Sequence, residues 1–390
     1  MSIIYKYTNL FIKDSHSGML DNGMHFISRV YLSYLDRSKY TSLKRAKCNV
    51  PTHKWYSFFT KDHGSSKDIP ITYDIIRPSD YLTNKNNDNS VVQTVIEAMP
   101  RHILPEYAYT SVPNKGSADA LLTVWSENDI KRIRKSCKIA KYVLRTLANI
   151  ISSYSENYIE TNAKPQKYRD MHKTKDLTTN DLNEKAHKII LSANSYPSTL
   201  NYDGFPKSIS TSINNVAADG IPDDRPLKPG DIISVDISVY HDGFHGECAE
   251  TFVFGNVCDI QGLHLVSSAK ECLFAAITAC APGAPIQSIG SSVSKFSKRR
   301  GVKAIPVFCG HGIGTMLDMG CHIYHVRNHI IWAMKPGNIF TVGPRITEGF
   351  SGVEQWTEDG FTLATRDNSR VAYFEHTVLI TDYGVDILTL

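Results

Sequence analysis

The sequence has no apolar run approaching the roughly 18 residues that a bilayer-spanning helix requires. It also lacks the short apolar core of a secretory signal near its N-terminus. These absences argue against a membrane span and against secretion. Hydrophobic residues nevertheless make up 42% of the 390 positions, which is too many for a disordered chain. We therefore expect a folded chain without a membrane span.

Cysteine is present but forms no recognisable motif. The eight cysteines include no CxxC pair and no Cys/His finger spacing, so a zinc finger is not expected. Buried, reduced thiols are the simplest interpretation. The cysteines are Cys48, Cys137, Cys248, Cys258, Cys272, Cys280, Cys309 and Cys321.

The net charge of +4 is unevenly distributed. Residues 1–60 contain nine Lys/Arg against three acidic residues, and 11 of the 39 aromatic residues. Three interpretations stay open for this segment: a targeting sequence, an extension that docks on RNA through phosphates and bases, or an extension packed on the core.

A polar stretch, residues 83–90, has nothing to bury and is typical of a linker. The predicted domains are therefore residues 1–90, a basic aromatic extension with its linker, and residues 91–390. Within the second domain, the polar residues at about 152–175 are expected to form a surface insertion.

Capping boxes predict two helices on either side of that insertion. Ser126 with Asp129 precedes a helical apolar pattern, and Thr178 with Asp181 precedes a second one. A further helix is expected at about 263–280. Strands and glycine-rich turns fill the rest of the C-terminal half.

Residues 232–240 alternate apolar and polar side chains, as in a strand. A turn centred near Asp242 would place Asp236 opposite Glu247 on the following strand. Like charges in that arrangement are destabilising unless a positive group lies between them.

Several blocks resemble type I methionine aminopeptidases in order and spacing, most closely the organellar subgroup. The resemblance runs from Leu104 to Leu390 and implies an α/β pita-bread fold, a pseudo-symmetric antiparallel sheet with flanking helices. It also implies a site for two divalent metals and action on nascent N-termini. The blocks are Tyr196-Pro197-Ser198, Phe205-Pro206-Lys207-Ser208, Gly220-Ile221-Pro222-Asp223, Gly243-Phe244-His245-Gly246, Gly310-His311-Gly312-Ile313-Gly314 and Phe374-Glu375-His376-Thr377.

The metal ligands of the family are only partly retained. The resemblance places Asp236, His311 and Glu375 at ligand positions, and Glu247 where the family has an Asp. Gly343 stands where the family has a Glu, so one ligand is missing. The resemblance implies one or two divalent ions (Mn, Co, Fe or Zn), or none if the site no longer binds metal.

Arg345 lies two residues after Gly343. On a strand, both would point to the same face. A guanidinium there could pair with the carboxylates and replace at least one metal ion. The alternative is that Arg345 turns to solvent and the metal persists.

The two substrate-handling histidines of the family are replaced by Asp219 and Asp318. An ionised carboxylate cannot donate a hydrogen bond to a developing oxyanion. The apolar pocket is better preserved, because Tyr202, Phe205, Leu317 and Phe361 fall at the positions where the family binds methionine.

The favoured hypothesis is a catalytically impaired relative that binds nascent N-termini or an organellar ribosome, the latter through residues 1–60. The alternative is an active, metal-dependent methionine aminopeptidase. A third hypothesis, another reaction on the same fold such as cleavage beside proline, fits the sequence blocks less well. The expected location is a mitochondrion or another organelle, with the cytoplasm as the alternative.

Deletion of residues 1–60 should change either the location of the protein or its co-purification with ribosomal particles. The full-length and truncated chains, each with a C-terminal fluorescent tag, can be compared by microscopy and by sedimentation of cell extracts. If neither property changed, the targeting and docking interpretations would both fail.

Overall fold

A computed structural model of the chain describes residues 73–78, 90–117, 120–162, 176–256 and 258–390. The predictions for residues 1–60, for the linker up to residue 89, and for the insertion from residue 163 to residue 175 lie outside these residues. Within the described ranges, no helix is both long and apolar enough to cross a membrane.

Six α-helices are found in the described residues, and three short 3₁₀ turns join other elements. The α-helices are α1 Ser90–Ala98, α2 Tyr107–Thr110, α3 Glu127–Asn162, α4 Thr179–Ser192, α5 Ile260–Thr278 and α6 Gln287–Arg300. The 3₁₀ turns are Arg101–Ile103, Tyr202–Gly204 and Phe254–Asn256.

The two predicted helix starts are confirmed. The Ser126 hydroxyl accepts a hydrogen bond from the Asp129 amide at 3.2 Å, and Thr178 with Asp181 forms a complete capping box before α4. Helix α3 extends to Asn162, into the stretch predicted as an insertion. Within this extension Ser155 is buried and accepts a hydrogen bond from the Gly255 amide at 2.9 Å.

The strands form one large antiparallel sheet and several small ones. They are β1 Tyr196–Pro197, β2 Ser210–Ile213, β3 Val216–Ala218, β4 Ile232–His241, β5 Phe244–Val253, β6 Lys303–Ala304, β7 Cys309–Gly310, β8 Ile323–Tyr324, β9 Ile339–Val342, β10 Arg345–Thr347, β11 Val353–Gln355, β12 Leu363–Thr365, β13 Val371–Tyr373, β14 Glu375–Ile380 and β15 Val385–Ile387. The large sheet has the order β1-β4-β5-β14-β15, with β2 also paired to β4 and β9 to β14. Strand β10 lies between β13 and β6 in a separate sheet.

The predicted register of the β4–β5 hairpin is wrong by two residues. Asp236 pairs with Ala249, and Glu247 pairs with Ser238. The turn consists of Asp242 and Gly243, which have φ values of 51° and 83°. Two positive φ values are typical of a tight two-residue hairpin, so the chain reverses one residue later than expected. Because the observed register differs from the predicted one by an even number of residues, both carboxylates still lie on the same face of the sheet.

Helix α3 covers the outer face of the β4–β5 hairpin. Its apolar stripe and the inward residues of both strands form the largest core cluster. Gly246 on β5 lies directly beneath the helix. A methyl group at this position would come within 2.4 Å of the backbone nitrogen of Cys137, and backbone on both sides leaves little freedom to relax.

Residues Tyr73 to Pro78 lie against the same unit, Asp68–Leu390. The Tyr73 hydroxyl donates to the Asn368 carbonyl at 2.9 Å, and the Ile76 amide donates to the side chain of Asn215 at 2.7 Å. Asp74 forms an ion pair with the buried guanidinium of Arg225 at 3.1 Å. Short-range polar contacts therefore hold this stretch on the domain.

The Gly246→Ala substitution should destabilise the protein by about 1 to 3 kcal/mol, because it forces α3 away from β5. Gly384→Ala is the matched control, since a methyl group there has no neighbour within 4 Å among the described residues. Urea denaturation of both variants measures the difference. Equal midpoints would contradict the close helix–sheet contact.

Candidate metal centre and substrate cleft

Three acidic side chains meet on one face of the large sheet. Asp236 on β4 and Glu375 on β14 both pair with Ala249, which lies between them on β5. Glu247 precedes Ala249 by two residues and shares its face. Asp236, Glu247 and Glu375 each place a carboxylate oxygen within 4.8 Å of those of the other two. Sheet pairing therefore assembles the cluster expected from the sequence.

Each carboxylate of this cluster has one oxygen without a hydrogen-bond partner in the described part of the chain. These oxygens are Asp236 Oδ1, Glu247 Oε2 and Glu375 Oε1. The other oxygens of the two glutamates are held by the protein. Ser238 donates to Glu247 Oε1 at 3.0 Å, and Tyr373 donates to Glu375 Oε2 at 2.5 Å. Unpaired buried oxygens are costly, so this arrangement suits a bound cation.

His311 lies beside the cluster, at the end of β7. Its Nε2 is 3.6 Å from Glu247 Oε2, and its Nδ1 is 3.3 Å from the Gly312 carbonyl. Because a carbonyl only accepts, this contact places the ring proton on Nδ1 and leaves Nε2 available as a ligand.

Burial and mutual repulsion raise the pKa of every carboxyl in the cluster. Burial is the largest cause throughout, followed by the charge of another cluster carboxylate. The pKa rises to about 8 for Asp236 and for Glu247, and to about 7 for Glu375. Without a cation, the cluster therefore resists full ionisation at neutral pH.

Arg345 points into the site, as its spacing from Gly343 predicted. Its Nη2 is 3.7 Å from Asp236 Oδ2, and its guanidinium carbon lies 3.7 Å from the centre of the Tyr373 ring and 4.6 Å from that of Phe308. Arg345 and Tyr373 are direct partners in the β10–β13 ladder. Only 12% of the Arg345 side chain is exposed, so it does not turn to solvent.

The space beside Gly343 is filled by neighbouring side chains. A methyl group on Gly343 would come within 2.4 Å of Glu375 Oε2 and within 2.8 Å of the Tyr373 ring. The Gly343 amide donates to Nε2 of buried His325 at 3.2 Å. Burial and the charge of Arg345 lower the pKa of His325 to about 3, which keeps its ring neutral and able to accept.

Asp219 and Asp318 both border the cluster. Asp219 has a φ of 55°; burial raises the pKa of its carboxyl, and the charge of Arg345 opposes the rise. Asp318 accepts a hydrogen bond from the Gly320 amide at 2.8 Å, and its charge contributes to the raised pKa of Tyr202 and of Glu247.

The predicted apolar pocket residues fall into two contacts. Phe205 and Phe361 meet edge to face, with ring centres 5.3 Å apart. Leu317 is buried, and Tyr202 packs against its cluster. The Tyr202 hydroxyl is buried and has no hydrogen-bond partner among the described residues. Burial raises the pKa of Tyr202, so its hydroxyl remains a donor.

Three contributors were not expected from the sequence: Ser238, Tyr373 and His325. Ser238 was already visible on the polar face of its strand, two residues after Asp236. Tyr373 precedes Glu375 by two residues, so strand periodicity also predicts that these two side chains share a face. His325 gave no signal, because its contact with Gly343 depends on how distant loops fold.

Comparison with known proteins gives consistent matches. The model of metallopeptidase family M24 matches residues 131–382. Methionine aminopeptidase 1D, mitochondrial, from Homo sapiens is 40% identical over 293 residues, covering 75% of this chain and 79% of that protein. The protein of the same name from Danio rerio is 38% identical, with the same coverage.

Solved structures match the same region. The match to the structure of a methionine aminopeptidase from Rickettsia prowazekii covers 69% of this chain and 100% of that chain. The two are 33% identical in sequence, and the TM-score is 0.61. A prolidase from Pyrococcus furiosus has a TM-score of 0.50 at 16% identity, which shows the fold alone. The predicted α/β pita-bread fold is confirmed.

Divalent metal use is implied by the family match, and the residues present fit it. The three free carboxylate oxygens and the available Nε2 of His311 make a mixed oxygen and nitrogen donor set, which suits a first-row divalent ion. Such an ion bound here would polarise a carbonyl or lower the pKa of a bound water.

Metal-stripped protein should lose stability as the pH rises from about 5 to about 8. The folded cluster has raised pKa values, so the folded state binds more protons than the unfolded state in this interval. The Glu247→Gln variant should show a shallower slope. Urea midpoints in chelator at several pH values measure this; identical slopes would contradict the raised pKa of Glu247.

Proposed function

The chain belongs to metallopeptidase family M24, and we propose that it binds the free methionine end of nascent polypeptides but hydrolyses the peptide bond poorly. The resemblance to methionine aminopeptidases is confirmed by the matches described above. The observation that carries the proposal is the presence of Asp219 and Asp318, two acids, beside the carboxylate cluster.

Binding is supported by the chemistry of the cleft. Phe205 packs against Phe361, and Tyr202 packs against the cluster that contains Leu317. As the apolar wall of the proposed cleft, these residues would suit an unbranched apolar side chain. The adjoining acids suit a protonated amine, because a buried cation requires opposite charge nearby. In this binding mode Asp236 contacts the amino group of the peptide.

Impaired hydrolysis is supported by the loss of donors. Oxyanion stabilisation requires hydrogen-bond donors or positive charge, and removal of one donor commonly costs about 10²- to 10³-fold in rate. At Asp219 and Asp318, carboxyl groups stand where the resemblance places groups that donate, and in their ionised form their negative charge adds repulsion. The missing donors and the added repulsion both slow hydrolysis.

A slow but active aminopeptidase is the second candidate. The observation that favours it is the set of three free, buried carboxylate oxygens, since these still offer a cation site. In addition, the unpaired Tyr202 hydroxyl could donate one hydrogen bond to the substrate carbonyl.

Location and assembly partners extend the proposal. A mitochondrial location is supported by the names of the human and zebrafish relatives. Docking on an organellar ribosome is supported only by the basic, aromatic composition of residues 1–60.

The full-length protein should bind the peptide Met-Ala-Ser and release free methionine at least about 100-fold more slowly than a bacterial methionine aminopeptidase under the same conditions with Mn²⁺ or Co²⁺. N-acetylated Met-Ala-Ser should bind much more weakly, because it lacks the cationic amine. Calorimetry and a methionine-release assay measure the two properties.

Asp219→His combined with Asp318→His should raise turnover toward that of the bacterial enzyme. Asp176→His combined with Asp382→His is the matched control, because both of these aspartates are exposed. Turnover by the unmodified protein at the bacterial rate would refute impaired hydrolysis. Equal binding of the free and acetylated peptides would refute recognition of the amine.

A further inference from the structure

The proposed mode of peptide binding gives no role to Arg345. We propose that the carboxylate cluster holds one divalent ion rather than two, and that the guanidinium of Arg345 is the permanent second cation of the site. This inference rests on the same metallopeptidase site as the proposed function, but it concerns the number of metal ions and not turnover.

The charges of the cluster support a single ion. Asp236, Glu247 and Glu375 contribute three negative charges when ionised, and Arg345 contributes one positive charge. One divalent ion then brings these four groups to neutrality, whereas two would leave an excess of two positive charges that Asp219 and Asp318, at the border of the cluster, would have to offset. Burial of an uncompensated charge is strongly unfavourable.

The oxygen atoms give the same count. Of the six carboxylate oxygens, three already face protein groups: Asp236 Oδ2 faces Arg345 at 3.7 Å, Glu247 Oε1 accepts from Ser238 at 3.0 Å, and Glu375 Oε2 accepts from Tyr373 at 2.5 Å. The remaining three have no hydrogen-bond partner among the described residues, and one of them, Glu247 Oε2, lies 3.6 Å from His311 Nε2. With His311 Nε2 they would supply four donor atoms to one divalent ion.

The guanidinium is also held in place from both sides. It stacks on the Tyr373 ring and lies over Phe308, and strand pairing fixes Arg345 opposite Tyr373. Position 343 offers no side-chain ligand, and the volume beside it contains Tyr373 and Glu375. A second ion would have to displace both the arginine and the tyrosine.

The test is a count of bound metal in the full-length protein. Metal-stripped protein is titrated with Mn²⁺, and bound ions are counted by electron paramagnetic resonance and by elemental analysis after dialysis. We expect saturation at one equivalent. Two tight equivalents, or none, would overturn the proposal.

Variants test the part played by Arg345. Arg345→Met should bind Mn²⁺ at least about tenfold more tightly, because a positive charge beside the ligands is removed. Arg345→Lys keeps the charge and should bind nearly as the unmodified protein does. Arg327→Met is the matched control, since Arg327 is exposed, and its affinity should not change.

Circular dichroism establishes that each variant is folded. If folded Arg345→Met bound Mn²⁺ no more tightly than Arg327→Met, Arg345 would not be a cation of the site. Peptide binding and turnover are measured separately from metal binding. A negative result for the proposed function would therefore not change the number of bound ions. A count of two ions would likewise not contradict recognition of the peptide.

Discussion

Three buried carboxylates on adjacent antiparallel strands are the constraint on which the site depends. Strand pairing brings Asp236, Glu247 and Glu375 together whatever their charge, because Ala249 lies between two of them in the ladder. Burial then makes full ionisation unfavourable. The surrounding groups offset part of this cost. The hydroxyls of Ser238 and Tyr373 and the guanidinium of Arg345 face three of the six carboxylate oxygens, and the other three oxygens remain available to a cation.

Much of this was accessible from the sequence, because strand periodicity determines which residues share a face. Alternation along residues 232–240 placed Asp236 correctly, and the spacing of Gly343 and Arg345 predicted that Arg345 points inward. The hairpin register was missed although the sequence contains its signal, since an Asp-Gly pair is typical of a two-residue turn and would have centred the hairpin between Asp242 and Gly243. The contact between Arg345 and Tyr373 was missed because it requires the pairing of two strands that are distant in the chain.

Under the proposed function, Asp219 and Asp318 have opposite effects on peptide binding and on hydrolysis. Both are acids beside the carboxylate cluster, and they only accept hydrogen bonds when ionised. Such a cleft attracts a protonated amine more strongly while it stabilises a developing oxyanion less. Because ground-state binding and transition-state stabilisation are separate, a protein can retain recognition of an N-terminus and lose most of its hydrolytic rate. The well-packed aromatic contact between Phe205 and Phe361 is consistent with retained recognition.

The residues around Gly343 also argue against a site that has merely lost a ligand. A side chain at position 343 is incompatible with the present places of Glu375 and Tyr373. The Tyr373 ring in turn supports the guanidinium of Arg345, and the hydroxyl of Tyr373 binds Glu375. The three positions therefore depend on one another. The lack of a side chain at Gly343 leaves room for the Tyr373 ring, and this ring packs against the guanidinium of Arg345. The guanidinium in turn offsets the negative charge of Asp236. A side chain at position 343 alone would clash with Glu375 or Tyr373 while the guanidinium of Arg345 stayed in the site, so a ligand at this position would require coordinated changes at all three residues.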